Sequence, residues 1–206
     1  LFRSWDATTT TNWSTSSGGS GGASVPSTAD VAIFDANSNI AGSGASYTVT
    51  RTATTGVLGI NAANPSAGTL TFAGSAAVTI TTSGLTIAAS VNWTYTGAIT
   101  FTGTSTLTTN GVSLQGTVNI GTTVVTQVTL GSNLTTTGAI TVGRSSTTTL
   151  IMGTYNITCL TMAINNGTYA PSISTTGGTV TLTGSSATIW NFTLSPGLTV
   201  SGTLVV

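Results

Sequence analysis

Three aspartates, Asp6, Asp30 and Asp35, are the only carboxylate side chains in this 206-residue chain, and Arg3, Arg51 and Arg144 are its only cationic ones; Lys, Glu and His are absent. Glycan hydrolysis or elimination needs clustered carboxylates, or a base beside an Arg or Lys, along one face. All three aspartates fall near the amino end, and no Glu or His stands by to serve as the second acid or base. Ser and Thr are abundant, but a hydroxyl nucleophile has no His or Lys here to activate it. No catalytic residue is assigned, the chain is expected to be non-enzymatic, and no cofactor is expected.

Three further groups carry a chemical reading. Asp35 opens DANSN, where Asp35, Asn37 and Asn39 offer oxygen ligands to Ca²⁺. An EF-hand loop wants Gly at its sixth place and Glu at its twelfth, and those places hold Ile40 and Ser46, so an Asx turn between strands is the plainer reading. Cys159, in NITCLTM, has no partner for an internal disulfide and reads as a small core hydrophobe. Trp5, Trp13, Trp93 and Trp190 are either rings that stack on sugars at a surface or rings that fill caps and corners.

These groups need a scaffold, and the composition points to sheet. Ser and Thr fill 75 of the 206 positions while charged residues make up 3%, against roughly 25% in an ordinary domain. Thr is β-branched and strand-favouring, and its hydroxyl keeps a face wet without charge. With 39% hydrophobic residues the chain carries the apolar surface that disordered chains lack. A net charge of zero and three scattered arginines give no basic face for nucleic acid. No apolar run reaches the 18 or so residues of a membrane span, so membrane insertion is not expected.

The motif Gly, then Thr or Ala, then alternating apolar and Thr positions recurs from Gly68, Gly97, Gly116, Gly138, Gly178 and Gly202. Most of the successive steps are close to a period of roughly 20 residues, with the step from Gly138 to Gly178 about twice that, and a period of this size marks solenoids. Pairs such as Leu70/Phe72 and Ile99/Phe101 alternate with Thr, and TTSG, TTNG and INNG punctuate corners where positive φ is cheap. A Greek-key sandwich shares the short strands, but the spacing and the scarcity of Pro favour a single-chain parallel β-solenoid, or β-helix, with short irregular coils of about 20 residues. Residues 1–45 differ from the rest: they hold all three aspartates, two of the four tryptophans and a Gly/Ser run from Ser14 to Gly22. They read as an amino-terminal cap and first strands, with 46–206 forming the coils.

Trp5-Asp6, then NWS, then VPSTADVAIF at the amino end resemble the opening of extracellular β-solenoid structural and fibre proteins of environmental bacteriophages, and are similar to autotransporter-type passenger repeats. GTYNITCLTMAINNGTYAPSI followed by GGTVTLTGSSATIWNFTLSPGLTVSGTLVV resembles the carboxy-terminal coils of the same phage proteins. The resemblance implies an extracellular structural subunit located on a virion or cell surface, as a phage fibre, spike or capsid decoration. A bacterial surface adhesin or secreted filament subunit is the first alternative, and a carbohydrate- or ice-binding module the second. Thr-x-Thr pairs at Thr69/Thr71, Thr79/Thr81, Thr100/Thr102 and Thr179/Thr181 carry the ice-binding alternative. Low charge and Thr-rich strand edges oppose self-association only feebly, so other copies or other structural subunits are the expected partners, with a cell-surface glycan as a further one.

Overall fold

The protein is described by a computed structural model covering residues 2–38, 45–65, 68–121, 124–143, 147–165, 171–185, 190–193 and 199–201. Its strands follow one another in short three-sided coils. A first strand, β1 (Phe2–Trp5), leads through a 3-10 turn at Thr10–Asn12 to β2 (Val31–Ile33). Then come β3 (Tyr47–Arg51) with β4 (Thr55–Ala62), and β5 (Leu70–Gly74) with β6 (Val78–Ile87). From there each coil carries three separate strands. These are β7 (Asn92–Trp93), β8 (Ile99–Phe101) and β9 (Ser105–Thr108), followed by β10 (Ser113–Leu114), β11 (Val118–Ile120) and β12 (Thr126–Leu130). The next coils are β13 (Leu134–Thr136), β14 (Ala139–Val142) and β15 (Thr148–Gly153), then β16 (Ile157–Cys159), β17 (Thr161–Asn165) and β18 (Ser172–Thr175). The last described strands are β19 (Val180–Leu182), β20 (Trp190–Thr193) and β21 (Thr199–Ser201).

All pairings among the described strands are parallel, which makes the fold a β-solenoid. The first face is two separate sheets, β1-β3-β5-β7 and β10-β13-β16-β19. The second face runs β4-β6-β8-β11-β14-β17-β20 and the third β2-β4-β6-β9-β12-β15-β18-β21; β4 and β6 pass through the corner between them and fuse the two faces into one 13-stranded sheet.

Alternation decides which side chains fill the coil. Along β12 and β3 burial alternates residue by residue, with Val128 and Val49 inside and Thr129 and Thr50 outside. On the second face Val57, Ile80, Phe101, Ile120, Val142 and Ile164 stack rung upon rung, all buried. Each such side chain taken out of water stabilises the fold by about 1.5–3 kcal/mol. The corners use the expected chemistry: Asn110 has φ 48 and Gly111 φ 86 in TTNG, and Gly84 has φ 76 in TTSG. The Gly of INNG lies outside the described residues.

The structure also explains the irregular repeat. Gly97, Gly116 and Gly138 share one corner, ahead of β8, β11 and β14, and there a Cβ on Gly116 would collide with the Gly97 carbonyl oxygen and one on Gly138 with the Gly116 oxygen. Gly68 and Gly178 instead precede the first-face strands β5 and β19. The long steps from Gly68 to Gly97 and from Gly138 to Gly178 therefore compare different corners. Followed in register, the second face climbs from Val78 through Ile99, Val118, Ile140 and Met162 by nearly equal steps, and only the last step, from Met162 to Trp190, is markedly longer.

Hydroxyls and amides tie successive coils together. The Thr94, Thr136, Thr175 and Thr183 hydroxyls donate to the carbonyls of Phe72, Gly116, Gly153 and Cys159 one coil back, at 2.8–3.3 Å. Asn133 Oδ1 accepts from the Asn156 amide and Asn156 Oδ1 from the Thr179 amide, both at 2.9 Å, forming a short side-chain ladder up one corner. The Asn ladder satisfies the corner amides of Asn156 and Thr179, while the Thr hydroxyls add a second bond to the Phe72, Gly153 and Cys159 carbonyls, which already accept the Thr94, Thr176 and Thr183 amides.

Candidate functional site at the amino-terminal cap

Asp6 starts the cap by accepting the Thr8 and Thr9 amides at 2.8 and 2.6 Å and the Thr9 hydroxyl at 2.6 Å, which turns the chain into the 3-10 segment. The following Gly/Ser run closes into a loop whose base is pinned by Gly22 and Ala23 amides donating to the Trp13 carbonyl at 3.0 Å. At Gly21 a Cβ would run into the Thr11 carbonyl oxygen, so only glycine allows that closure. Asn37 Nδ2 donates to Ser17 Oγ at 2.9 Å and ties the loop to the turn after β2.

Under this loop lies a cavity of about 570 Å³. Its aromatic wall is Trp5, Trp13, Phe34 and Tyr47, and its polar wall includes the hydroxyls of Ser14, Ser16 and Ser17 with Asn37, Asp30 and Asp35. Trp13 packs edge-on against Trp5 at 5.2 Å between ring centres and lies 6.1 Å from Phe34. Trp5 and Tyr47 are buried, whereas Trp13 is half-buried. Three buried donors of these rings, Trp5 Nε1, Trp13 Nε1 and the Tyr47 hydroxyl, make no hydrogen bond of good geometry within the protein and expose almost no surface to the cavity. Buried donors left unpaired are costly, and native proteins keep few of them.

Both carboxylates of the wall are ionised at neutral pH. The Ser27 hydroxyl and amide hold Asp30 below its ordinary range. Burial pulls Asp35 upward, but hydrogen bonds from Ser17, the Asn37 amide and Ser38 outweigh it and leave the carboxyl low. Tyr47 moves the other way: burial, with the Asp35 charge beside it, pushes the phenol up to about 12, opposed by a hydrogen bond with Ser38. The Ser38 hydroxyl is itself spent on Asp35, accepting from its amide at 2.9 Å and donating to its Oδ1 at 3.0 Å. Tyr47 is a hydroxyl donor throughout the neutral range.

Behind the cavity the rings continue inward. Phe72 stacks on Trp93 at 4.6 Å with planes 4° apart, and Tyr95 meets both at 5.6 Å. Arg51, 1% exposed, lies with its guanidinium 4.3 Å from the centre of the Trp5 ring. Its Nη2 donates to the carbonyls of Ala53, Thr55 and Ala77 and to the Thr55 hydroxyl. Burial lowers its pKa and the neighbouring Tyr95 opposes that, yet a guanidinium keeps its charge in proteins. Arg51 is thus a structural cation seated on a ring and on backbone oxygens.

The residues singled out from sequence are placed as follows. Asp35 Oδ1 serves its own turn, accepting from the Asn37 amide at 2.9 Å and the Ser38 hydroxyl at 3.0 Å, while Asn39 lies outside the described residues. Among the described residues no three His, Cys, Asp or Glu side chains gather as a metal site. Trp5 and Trp93 are core residues, and the side chain of Trp190 in β20 lies outside what is described. Cys159 is fully buried on the first face, and burial pushes its thiol up to about 12. Thr79 and Thr100 stack on the second face, but the rungs above them carry Asn119, Thr141 and Ala163, while Thr71 and Thr181 lie on the first face. The Thr pairs therefore do not form one plane. Sequence reasoning missed Tyr47 and the Ser14–Ser17 hydroxyls; the signal for them was a Gly/Ser run placed between Trp13 and two aspartates.

Comparison with known protein families, with curated proteins and with solved structures finds no match to this chain.

Proposed function

We propose that the chain is a non-catalytic structural subunit of an extracellular assembly, a stiff β-solenoid segment of the kind that serves a phage fibre, spike or capsid decoration, or in a cellular setting a surface adhesin or secreted filament. One observation carries the reading: hydroxyl and amide side chains at the corners are spent on bonds to the neighbouring coil, at Thr94, Thr136, Thr175 and Thr183 and along Asn133, Asn156 and Thr179. Such bonds harden a rod without charge, and so without sensitivity to salt or to pH in the neutral range. Self-association with further copies, or docking onto other structural subunits on a virion or cell surface, belongs to the same proposal.

Electron microscopy of the native material tests it. Ordered fibres or particle-attached rods, with rungs near the ~4.8 Å strand spacing and subunits joined through the solenoid ends, are the expected result. Isolated monomers with free ends at every concentration would refute it.

A further inference from the structure

We propose that the first face carries a seam between β7 and β10 and that the solenoid hinges there: the coils on either side part along this one face while the second and third faces keep their ladders. The hinge is a property of the single chain, assembled or not.

Leu114 follows Trp93 at the same spacing as Trp93 follows Phe72, so the two stand at matching positions of successive coils. Phe72 pairs with Trp93 and Leu114 with Thr136, yet β7 and β10 do not pair. Each strand is bonded on its far side. The Thr94 and Thr96 amides donate to the Phe72 and Gly74 carbonyls of the coil before, and the Thr137 amide of the coil after donates to the Leu114 carbonyl, all at 2.9 Å. Alternation along a strand then turns the backbone groups of Trp93, Ser113 and Gln115 toward the seam, where the Gln115 side-chain amide donates to the Ser113 carbonyl at 3.4 Å. On the other two faces the same coils are joined without a break. There β8 pairs with β11 and β9 with β12, and the Gly121 and Gly131 amides donate to the Phe101 and Leu107 carbonyls at 3.0 and 2.9 Å. A stack laddered on two sides and open on the third bends most easily about the corner where the intact faces meet.

Asn110 latches one edge of the seam. Its Nδ2 donates to the Ile87 carbonyl of the coil before at 2.9 Å, while its backbone amide donates to Ser132 Oγ of the coil after at 3.1 Å. Inside, Trp93 is 5% exposed and stacked on Phe72, and Leu114 at the matching position across the seam is fully buried. The indole Nε1–H of Trp93 is buried and makes no hydrogen bond of good geometry. Parting the coils separates Trp93 from Leu114 and brings water to that proton, so its exchange reports the opening without any ladder bond being broken.

Hydrogen exchange of the full chain, followed by NMR, tests the hinge. The protection factor of the Trp93 Nε1–H is expected to be at least about tenfold lower than those of the Gly121 and Gly131 amides, which wait for global unfolding. Asn110→Gly keeps the positive φ of that corner and removes the latch, and is expected to widen the gap about threefold to tenfold. A disulfide across the seam, from Asn92→Cys with Ser113→Cys, is expected to close the gap. A disulfide one coil earlier, from Thr71→Cys with Asn92→Cys in a rung that already pairs, is expected to leave it as it was. Should the seam pair not oxidise, Asn110→Gly decides. Trp93 protected as fully as Gly121 and Gly131, a gap unchanged by Asn110→Gly, or equal closure by the two disulfides would each overturn the proposal.

Discussion

Up to Phe101 the core mixes aromatic rings with aliphatic side chains, and from Leu107 onward the described core is aliphatic, built of Leu, Val, Ile and Met with Cys159. The change coincides with two others. The first face breaks between β7 and β10, and the shortest step along the second face, from Ile99 to Val118, falls at the same level. Rings also bring polar handles into the core. Trp5, Trp13, Tyr47 and Trp93 each leave a donor unpaired in the ring region, together with two nitrogens of Arg51, whereas only the Ser105 hydroxyl does so above Phe101 among the described residues. The aliphatic coils are built for regular stacking, and the ring end is where the molecule holds unspent hydrogen-bonding capacity.

Four experiments break or sharpen that contrast. Phe72 touches the rings of Trp5, Phe34, Trp93 and Tyr95, so Phe72→Ala removes a hub and is expected to lower stability by about 4 kcal/mol, against about 3 kcal/mol for Leu150→Ala in the aliphatic ladder. Urea unfolding of both proteins gives the comparison, and equal losses would mean that the two regions pack alike. Gly116→Ala, at the junction, drives a Cβ into the Gly97 carbonyl and is expected to cost about 2–3 kcal/mol, while Gly177→Ala, with open space around it, stays within about 0.5 kcal/mol. A thermal melt distinguishes them.

The third experiment follows stability with pH. Tyr47 and Cys159 are both raised in the folded protein, so each contributes stability that is whole below its unfolded value, 10.0 and 9.0, and lost as pH rises toward about 12. Asp30 and Asp35 are lowered, so their contribution is whole above 3.8 and lost as pH falls through their folded values. With no His in the chain, melting temperature is expected to be flat from about pH 5 to 8 and to fall on either side. Cys159→Ala is expected to flatten the alkaline limb for the aliphatic coils and Tyr47→Phe for the ring end; an unchanged limb in both would show that neither group controls it. The smallest effect is expected at Ser105, whose buried hydroxyl lacks a partner and which pairs in register with Val128. Ser105→Ala is expected to raise stability by about 0.5–1 kcal/mol, and a loss in denaturant unfolding would reveal a partner for that hydroxyl.

Much of the rod was legible because a strand's pattern is local. Alternation at Ile99/Phe101 and Leu70/Phe72 marks inward positions, and Asn110-Gly111 marks a corner, without knowledge of any neighbour. The glycine motif was legible as a motif but not as a position: Gly97, Gly116 and Gly138 stack in one corner while Gly68 and Gly178 start strands of another face, because a glycine ahead of an alternating strand reads the same on every side of a coil. The site was less legible still. Trp13 and Asp35 stood out by type, but Tyr47 is distant from Trp13 along the chain and joins it only when β3 packs beneath the cap loop.

The sequence by itself therefore determined an all-β chain with short alternating strands, glycine and asparagine corners, hydroxyls in place of charge and a distinct amino-terminal segment, since each rests on the backbone preferences and burial tendency of neighbouring residues. Tertiary structure alone decided which strands share a face, that Arg51 is buried on Trp5, and that the rings of Trp5, Trp13, Phe34 and Tyr47 gather beside one cavity. Those facts depend on residues far apart in the chain, brought together by coils of unequal length, so no local pattern contains them.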